Sequence, residues 1–187
     1  MSDRPPREAF AAMTRKIIAD HDEWDSPHHF VTLHWEDGEL RPGTWAMIMP
    51  DIHPAQYPKL MAKLALEAHE KDPDRPAYGY LLQIEGFGVA GPGPDASEEE
   101  RDQFERDRLG RTFHARADAI EFAQAWCADI HGRLWSATKK RGDEKVEERL
   151  YQPGRAPAGQ MIKGLLAVAY ATGMTAWGLP GPQGPMN

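Results

Sequence analysis

The stretch AIEFAQAWCADIHGRLWSATKK, residues 119–140, decides the fold because it reads in two ways. With a period of two, Ile120, Phe122, Trp126, Ala128 and Ile130 share one side. Asp129-Ile130-His131-Gly132 then makes a turn, and Arg133 to Lys139 returns as a second strand. Read instead as a helix, Asp118 and Glu121 form a capping box, Gly132 is the stop, and the many alanines fit. Leu134, Trp135 and Thr138 after the turn tip the reading toward a hairpin.

Upstream, Tyr78, Tyr80, Leu82 and Ile84 share one parity and Leu81 is apolar on the other, the pattern of a central strand. Gly86 to Gly91 matches G-x-G-x-x-G, but Pro92-Gly93-Pro94 follows at once, so no helix N-terminus is available for a pyrophosphate. It reads as a glycine-rich strand exit. Ser97 and Glu100 form a capping box for a helix to about Leu109, charged throughout apart from Phe104 and Leu109. Earlier still, Val31, Leu33 and Trp35 alternate with His28, Phe30, Thr32, His34 and Glu36. Asp37-Gly38 and Pro42-Gly43 separate this strand from a second over Thr44 to Met49. A helix is expected over about 54–70, capped by Asp51, and a short amphipathic one over Arg7 to His21. Downstream, Gln160 to Thr172 is apolar around much of its circumference, with Gly173 as its stop.

The expected architecture is α+β: a mainly antiparallel sheet with two or three packed helices and a Pro/Gly-rich C-terminal tail. Residues 1–25 form an N-terminal helical arm, and residues 26–174 a single domain carrying a charged helical insertion at 91–116. Residues 175–187 form the tail, whose three G-X-Y triplets from Gly178 are too few for a triple helix.

The 187 residues suit one domain, and a hydrophobic content of 41% is enough to build a core. No apolar run approaches the roughly 20 residues that cross a bilayer. Met1 to Arg7 is polar and leads into no signal-like apolar stretch. These features point to a cytoplasmic protein with no membrane partner. A net charge of -7 disfavours nucleic acid as a partner. Cys127 has no second cysteine to pair with, and its neighbours Ala125, Trp126 and Ala128 mark it as a packing residue. None of the four serines, Ser2, Ser26, Ser97 and Ser136, sits in a nucleophile elbow.

Three groups of residues carry the functional expectations. His28, His34, Glu36, Asp51 and His53 offer imidazoles and carboxylates for a divalent metal, although their spacing matches no established signature. Arg133, Trp135, Lys139, Lys140 and Arg141 combine cations with an aromatic, as a nucleic-acid contact would, but Asp143, Glu144, Glu147 and Glu148 follow directly. Trp24, Phe104, Leu165, Val168 and Trp177 are apolar residues on terminal or exposed segments and are expected at an interface. Glu85, on the central strand, calls for a partner such as an arginine. The leading expectation is a non-catalytic interaction or assembly protein without a resident cofactor, associating with itself or another protein. A metal-assisted hydrolase and a nucleic-acid-associated accessory protein are the alternatives.

Overall fold

The computed structural model describes residues 5–49, 52–110, 112–152, 155–157 and 159–181. Six strands form one antiparallel sheet in the order β2-β1-β3-β4-β5-β6. They are β1 (His28–Glu36), β2 (Glu39–Ile48), β3 (Gly79–Gly88), β4 (Ile120–Asp129), β5 (Leu134–Lys140) and β6 (Val146–Tyr151). The helices are α1 (Arg7–Ala19), α2 (Tyr57–Lys71), α3 (Glu98–Gly110) and α4 (Gln160–Ala176). The expected α+β class and antiparallel sheet are present.

Residues 119–140 form the β4–β5 hairpin, paired from Phe122 with Lys140 to Ala128 with Leu134. The turn carries Gly132 at φ 75, a conformation that favours glycine. The β1–β2 turn, Asp37 at φ 51 and Gly38 at φ 79, likewise matches its sequence signature. The chain then crosses over through α2, and β3 pairs with β1 on the side away from β2. This leaves β2 at one edge and β6 at the other.

Both faces of the sheet are covered. Val31, Leu33, Leu81, Cys127 and Trp135 pack with Phe10 and Ile18 of α1. Phe30, Tyr80, Leu82, Trp126 and Leu134 pack with Met61 of α2 and Leu165 and Val168 of α4. Residues 7–19 are therefore a core layer rather than an arm: Phe10, Thr14 and Ile18 make one buried stripe. The Phe10 ring lies 5.0 Å from that of Trp135, nearly parallel to it. Amphipathicity alone cannot say whether such a helix docks on its own sheet or elsewhere.

Two other expectations change in detail. The charged run at 144–151 contains β6, whose Glu147, Glu148 and Arg149 point outward along an edge. Helix α4 does not stop at Gly173, where a Cβ would lie 2.7 Å from the Ile130 carbonyl oxygen, so the glycine serves close packing. The chain turns instead at Gly178, φ 63. Helix α3 buries no side chain, and its capping box forms as expected. Ser97 Oγ accepts from the Glu100 amide at 3.2 Å, and Glu100 accepts from the Ser97 amide at 2.7 Å. Residues 182–187 of the tail lie outside the described residues.

Candidate functional site

Helices α2 and α4 share one face of the sheet and touch near their N-terminal ends. A Cβ on Gly164 would lie 2.7 Å from Pro58 Cα and 2.8 Å from Met61 Cε, so the two backbones meet there. Toward their C-terminal ends they part, leaving a cleft of about 680 Å³. Small side chains make its walls: Ala62, Ala65 and Ala68 from α2, Ala167 and Ala171 from α4. Its floor is the sheet, through Thr32 and His34 of β1, Gly43 of β2 and Tyr80 of β3. Its rim carries His69, Asp72 and Arg75. The volume lies in the range that encloses drug-sized molecules, about 300–1,000 Å³.

A β-bulge shapes the floor. Val31 pairs with Trp45 and Leu33 with Pro42, so Gly43 and Thr44 together oppose Thr32. The Thr44 amide donates to Thr32 Oγ1 at 2.9 Å, and Thr32 Oγ1 lies 3.0 Å from His34 Nε2. The threonine hydroxyl can donate to Nε2 or accept from it, according to the imidazole tautomer. Nδ1 is buried, and the Pro76 backbone lies on the same ring. Gly43 is required because a Cβ there would overlap the His34 ring and sit 2.7 Å from Thr32 Oγ1.

Burial lowers the His34 pKa, and the Arg75 guanidinium lowers it further against the opposing Glu36 and Asp72 charges and the Pro76 carbonyl. The ring is therefore neutral at pH 7. Tyr80 Oη and Thr172 Oγ1, 2.7 Å apart, tie the floor to α4, and burial raises the tyrosine pKa. Arg75 is paired with Glu36 at the rim and holds that carboxyl below its usual range. The deep part of the cleft is thus uncharged, and charge is confined to its mouth.

The proposed metal ligands do not converge. His28 Nδ1 faces the Tyr57 hydroxyl. His34 is bonded to Thr32, Glu36 is held by Arg75, and His53 Nδ1 accepts from the Ala55 amide to cap a 3-10 turn. Asp51 lies outside the described residues. A shared strand face put three of these residues side by side in the sequence, but each is claimed by a different neighbour.

Among the described residues, one trio of acids does approach within 4.8 Å: Asp25, Glu85 and Glu121. A cation already stands there. Arg141 Nη1 lies 2.7 Å from Glu121 and 3.8 Å from Asp25. Glu85 accepts from the Asp25 amide at 2.7 Å and the Ser26 hydroxyl at 2.9 Å, and His21 Nε2 is 3.0 Å away. It fastens the α1–β1 connection to the sheet.

The basic cluster also disperses. Arg133 is buried in an ion pair with Asp129, and its guanidinium lies 5.5 Å from the Phe10 ring and 5.3 Å from that of Trp135. Trp135 is itself core. Lys139 donates to the Ala19 and His21 carbonyls at 3.2 and 3.0 Å. Arg141 serves the acidic trio, and Lys140 is exposed. Strand alternation and the α1 layer bury residues that their composition marked as a surface.

The expected interface residues meet neighbours within the same chain, Leu165 and Val168 buried and Trp24, Phe104 and Trp177 half-buried. Leu165 and Val168 lie in the core beneath α2. Trp177 Nε1 donates to the Ala77 carbonyl at 3.0 Å, with its ring edge-on to Tyr78. Trp24 packs against His21 under the Arg141 guanidinium, and Phe104 lies 5.3 Å from Phe113.

Of the cleft residues, only His34 stood among the candidate metal ligands, and only Val168 among the interface residues. The signal that could have found the rest is the recurrence of alanine at 62, 65 and 68 and again at 167 and 171 on two helices expected to share a face. Comparison with protein-family models, curated proteins and solved structures finds no match to this chain.

Proposed function

We propose that this chain is a non-catalytic binding protein whose α2/α4 cleft holds a neutral, lipophilic small molecule. The observation that carries this reading is the division of the cleft: alanine methyls and uncharged polar groups inside, charge only at the rim. A charged group would lose its hydration in the deep part and find no counter-ion there, whereas a neutral one loses little. The Tyr80–Thr172 hydroxyl pair offers hydrogen bonds that orient a carbonyl or hydroxyl on such a ligand. The Thr32–His34 pair resembles a nucleophile and its base, but Thr32 is 3% exposed and its oxygen is engaged by the Thr44 amide. That supports a structural role for the pair, and with it binding rather than turnover.

The test is titration of the full chain with Nile red, a neutral lipophilic dye, followed by competition. Decanol should displace the dye, while decanoate and decylamine, of the same chain length but charged, should not. Ala167→Trp, which fills the cleft from α4, should abolish dye binding and leave the circular dichroism spectrum unchanged. Dye binding that survives Ala167→Trp, or equal displacement by all three competitors, would overturn the proposal.

A further inference from the structure

The cleft between α2 and α4 has a direction. Its lining runs from Pro58 to Asp72 on α2 and from Gly164 to Ala176 on α4. At a rise of about 1.5 Å per residue, these stretches are about 21 Å and 18 Å long. The two helices run in the same sense. Gly164 meets Pro58 at one end, and at the other Trp177 Nε1 donates to the carbonyl of Ala77, just beyond α2. The Gly164 end is shut, because the two backbones touch there. Over the next two turns neither helix offers the cleft a hydrogen-bonding side chain. Ala62, Ala65 and Ala68 line one wall, and Ala167, Val168 and Ala171 the other. The hydroxyl pair of Tyr80 and Thr172 comes next, and the charged Asp72 and Arg75 stand last, at the mouth.

We infer that the cleft takes a single unbranched aliphatic chain ending in a neutral oxygen function, admits it tail first, and measures its length. This rests on the binding reading above and names the class of molecule within it. Walls that pass from methyl groups through a hydroxyl pair to charge match an amphiphile with one polar end. One orientation satisfies them, with the ligand oxygen at Tyr80 and Thr172 and the tail toward Gly164. A reversed chain would set its oxygen between alanine walls, over a floor whose Thr32 and His34 are already bonded to each other, and would lose its hydration without replacement. The shut end makes the ruler. Thr172 lies eight residues beyond Gly164, about 12 Å along the helix. An extended chain with C–C bonds of about 1.52 Å advances about 1.25 Å per carbon, so about ten carbons fill that distance. A ring of the same carbon number is wider than a chain and stops short of the point where the backbones meet.

Calorimetric titration of the full chain with the primary n-alkanols from hexanol to tetradecanol tests this, with Nile red binding measured alongside. Affinity should rise about two- to fourfold per added methylene, the upper figure being full burial, and level off near decanol. Cyclodecanol, with the same carbon number as decanol, should bind at least about tenfold more weakly, because fewer of its methylenes are buried. Ala167→Leu places its side chain five residues from Thr172, about 7.5 Å along the helix, so it should bind hexanol as the wild type does and move the limit to about six carbons. Thr172→Val should weaken every alcohol by the same factor, about two- to tenfold, and leave the limit where it is. An affinity that ignores chain length or still climbs past dodecanol, equal binding of cyclodecanol and decanol, or a limit unmoved by Ala167→Leu would overturn the inference. If Nile red binds and these effects are missing, this inference falls alone; if Nile red does not bind either, the binding reading falls with it.

Discussion

Ala167→Leu should stabilise this protein, whereas Gly164→Ala, three residues earlier on the same helix, should destabilise it. The difference follows from where α4 meets α2. At Gly164 an added Cβ finds Pro58 Cα at 2.7 Å, Met61 Cε at 2.8 Å and Pro58 Cβ at 2.9 Å. Non-bonded carbons rest about 3.5–4.0 Å apart, so the α2 backbone itself must give way. Overpacking of this kind costs about 1–3 kcal/mol, and involvement of backbone places it at the upper end. Alanine's better helix propensity returns about 1 kcal/mol, leaving a net loss of about 2 kcal/mol. Residue 167 faces the cleft and is half-buried. Leucine adds three carbons there, worth about 0.8 kcal/mol each when fully buried. Half-burial in an open cleft reduces the gain to about 1 kcal/mol. The two variants should therefore differ by about 3 kcal/mol in urea-induced unfolding with unchanged m-values. In thermal unfolding, each kcal/mol corresponds to about 2–4 °C for a chain of this size. If both substitutions destabilise equally, the helices are in contact along their whole length and the cleft does not exist.

Two further outcomes test the buried polar groups of the fold. Burial lowers the pKa values of His28, His29 and His34 from 6.5, so below that value the unfolded chain binds more protons than the folded one. Stability should be complete above about pH 6.5 and fall as the pH drops through it; His34→Gln should flatten that slope in urea midpoints measured at several pH values, and a midpoint that rises on acidification would refute the assignment. Arg133→Met should cost about 3–5 kcal/mol in the same assay, because it strands the fully buried Asp129 carboxylate. Adding Asp129→Asn to that variant should restore part of the loss, and a near-neutral single variant would refute the buried pair.

Much of the sheet was legible because alternation is a local property. Val31, Leu33 and Trp35 against Phe30, Thr32 and His34 sort correctly onto two faces, and Leu81 between Tyr80 and Leu82 marks a strand covered on both sides. Turn chemistry at Asp37-Gly38 and Gly132, and the Ser97–Glu100 cap, were equally readable, since each depends on residues within a few positions. Strand β6 was hidden because an edge strand carries the same charged residues as a solvated loop.

The functional residues were read less well, for a reason visible in Arg133 and Trp135. Their types suit a nucleic-acid surface, and only the docking of α1 through Phe10 makes them interior. The cleft is a still clearer case. Alanine carries no chemical signal, so the sequence could specify two helices and the face each presents but not the space between them. That space exists because Gly164 lets α4 touch α2 at one end and small side chains leave the other end apart. By itself the sequence determined strands, turns and faces, which rest on neighbouring residues. Only the tertiary structure decided which polar groups were already partnered and where room for a ligand remained, because both depend on segments far apart in the chain, as Tyr57–Lys71 and Gln160–Ala176 are.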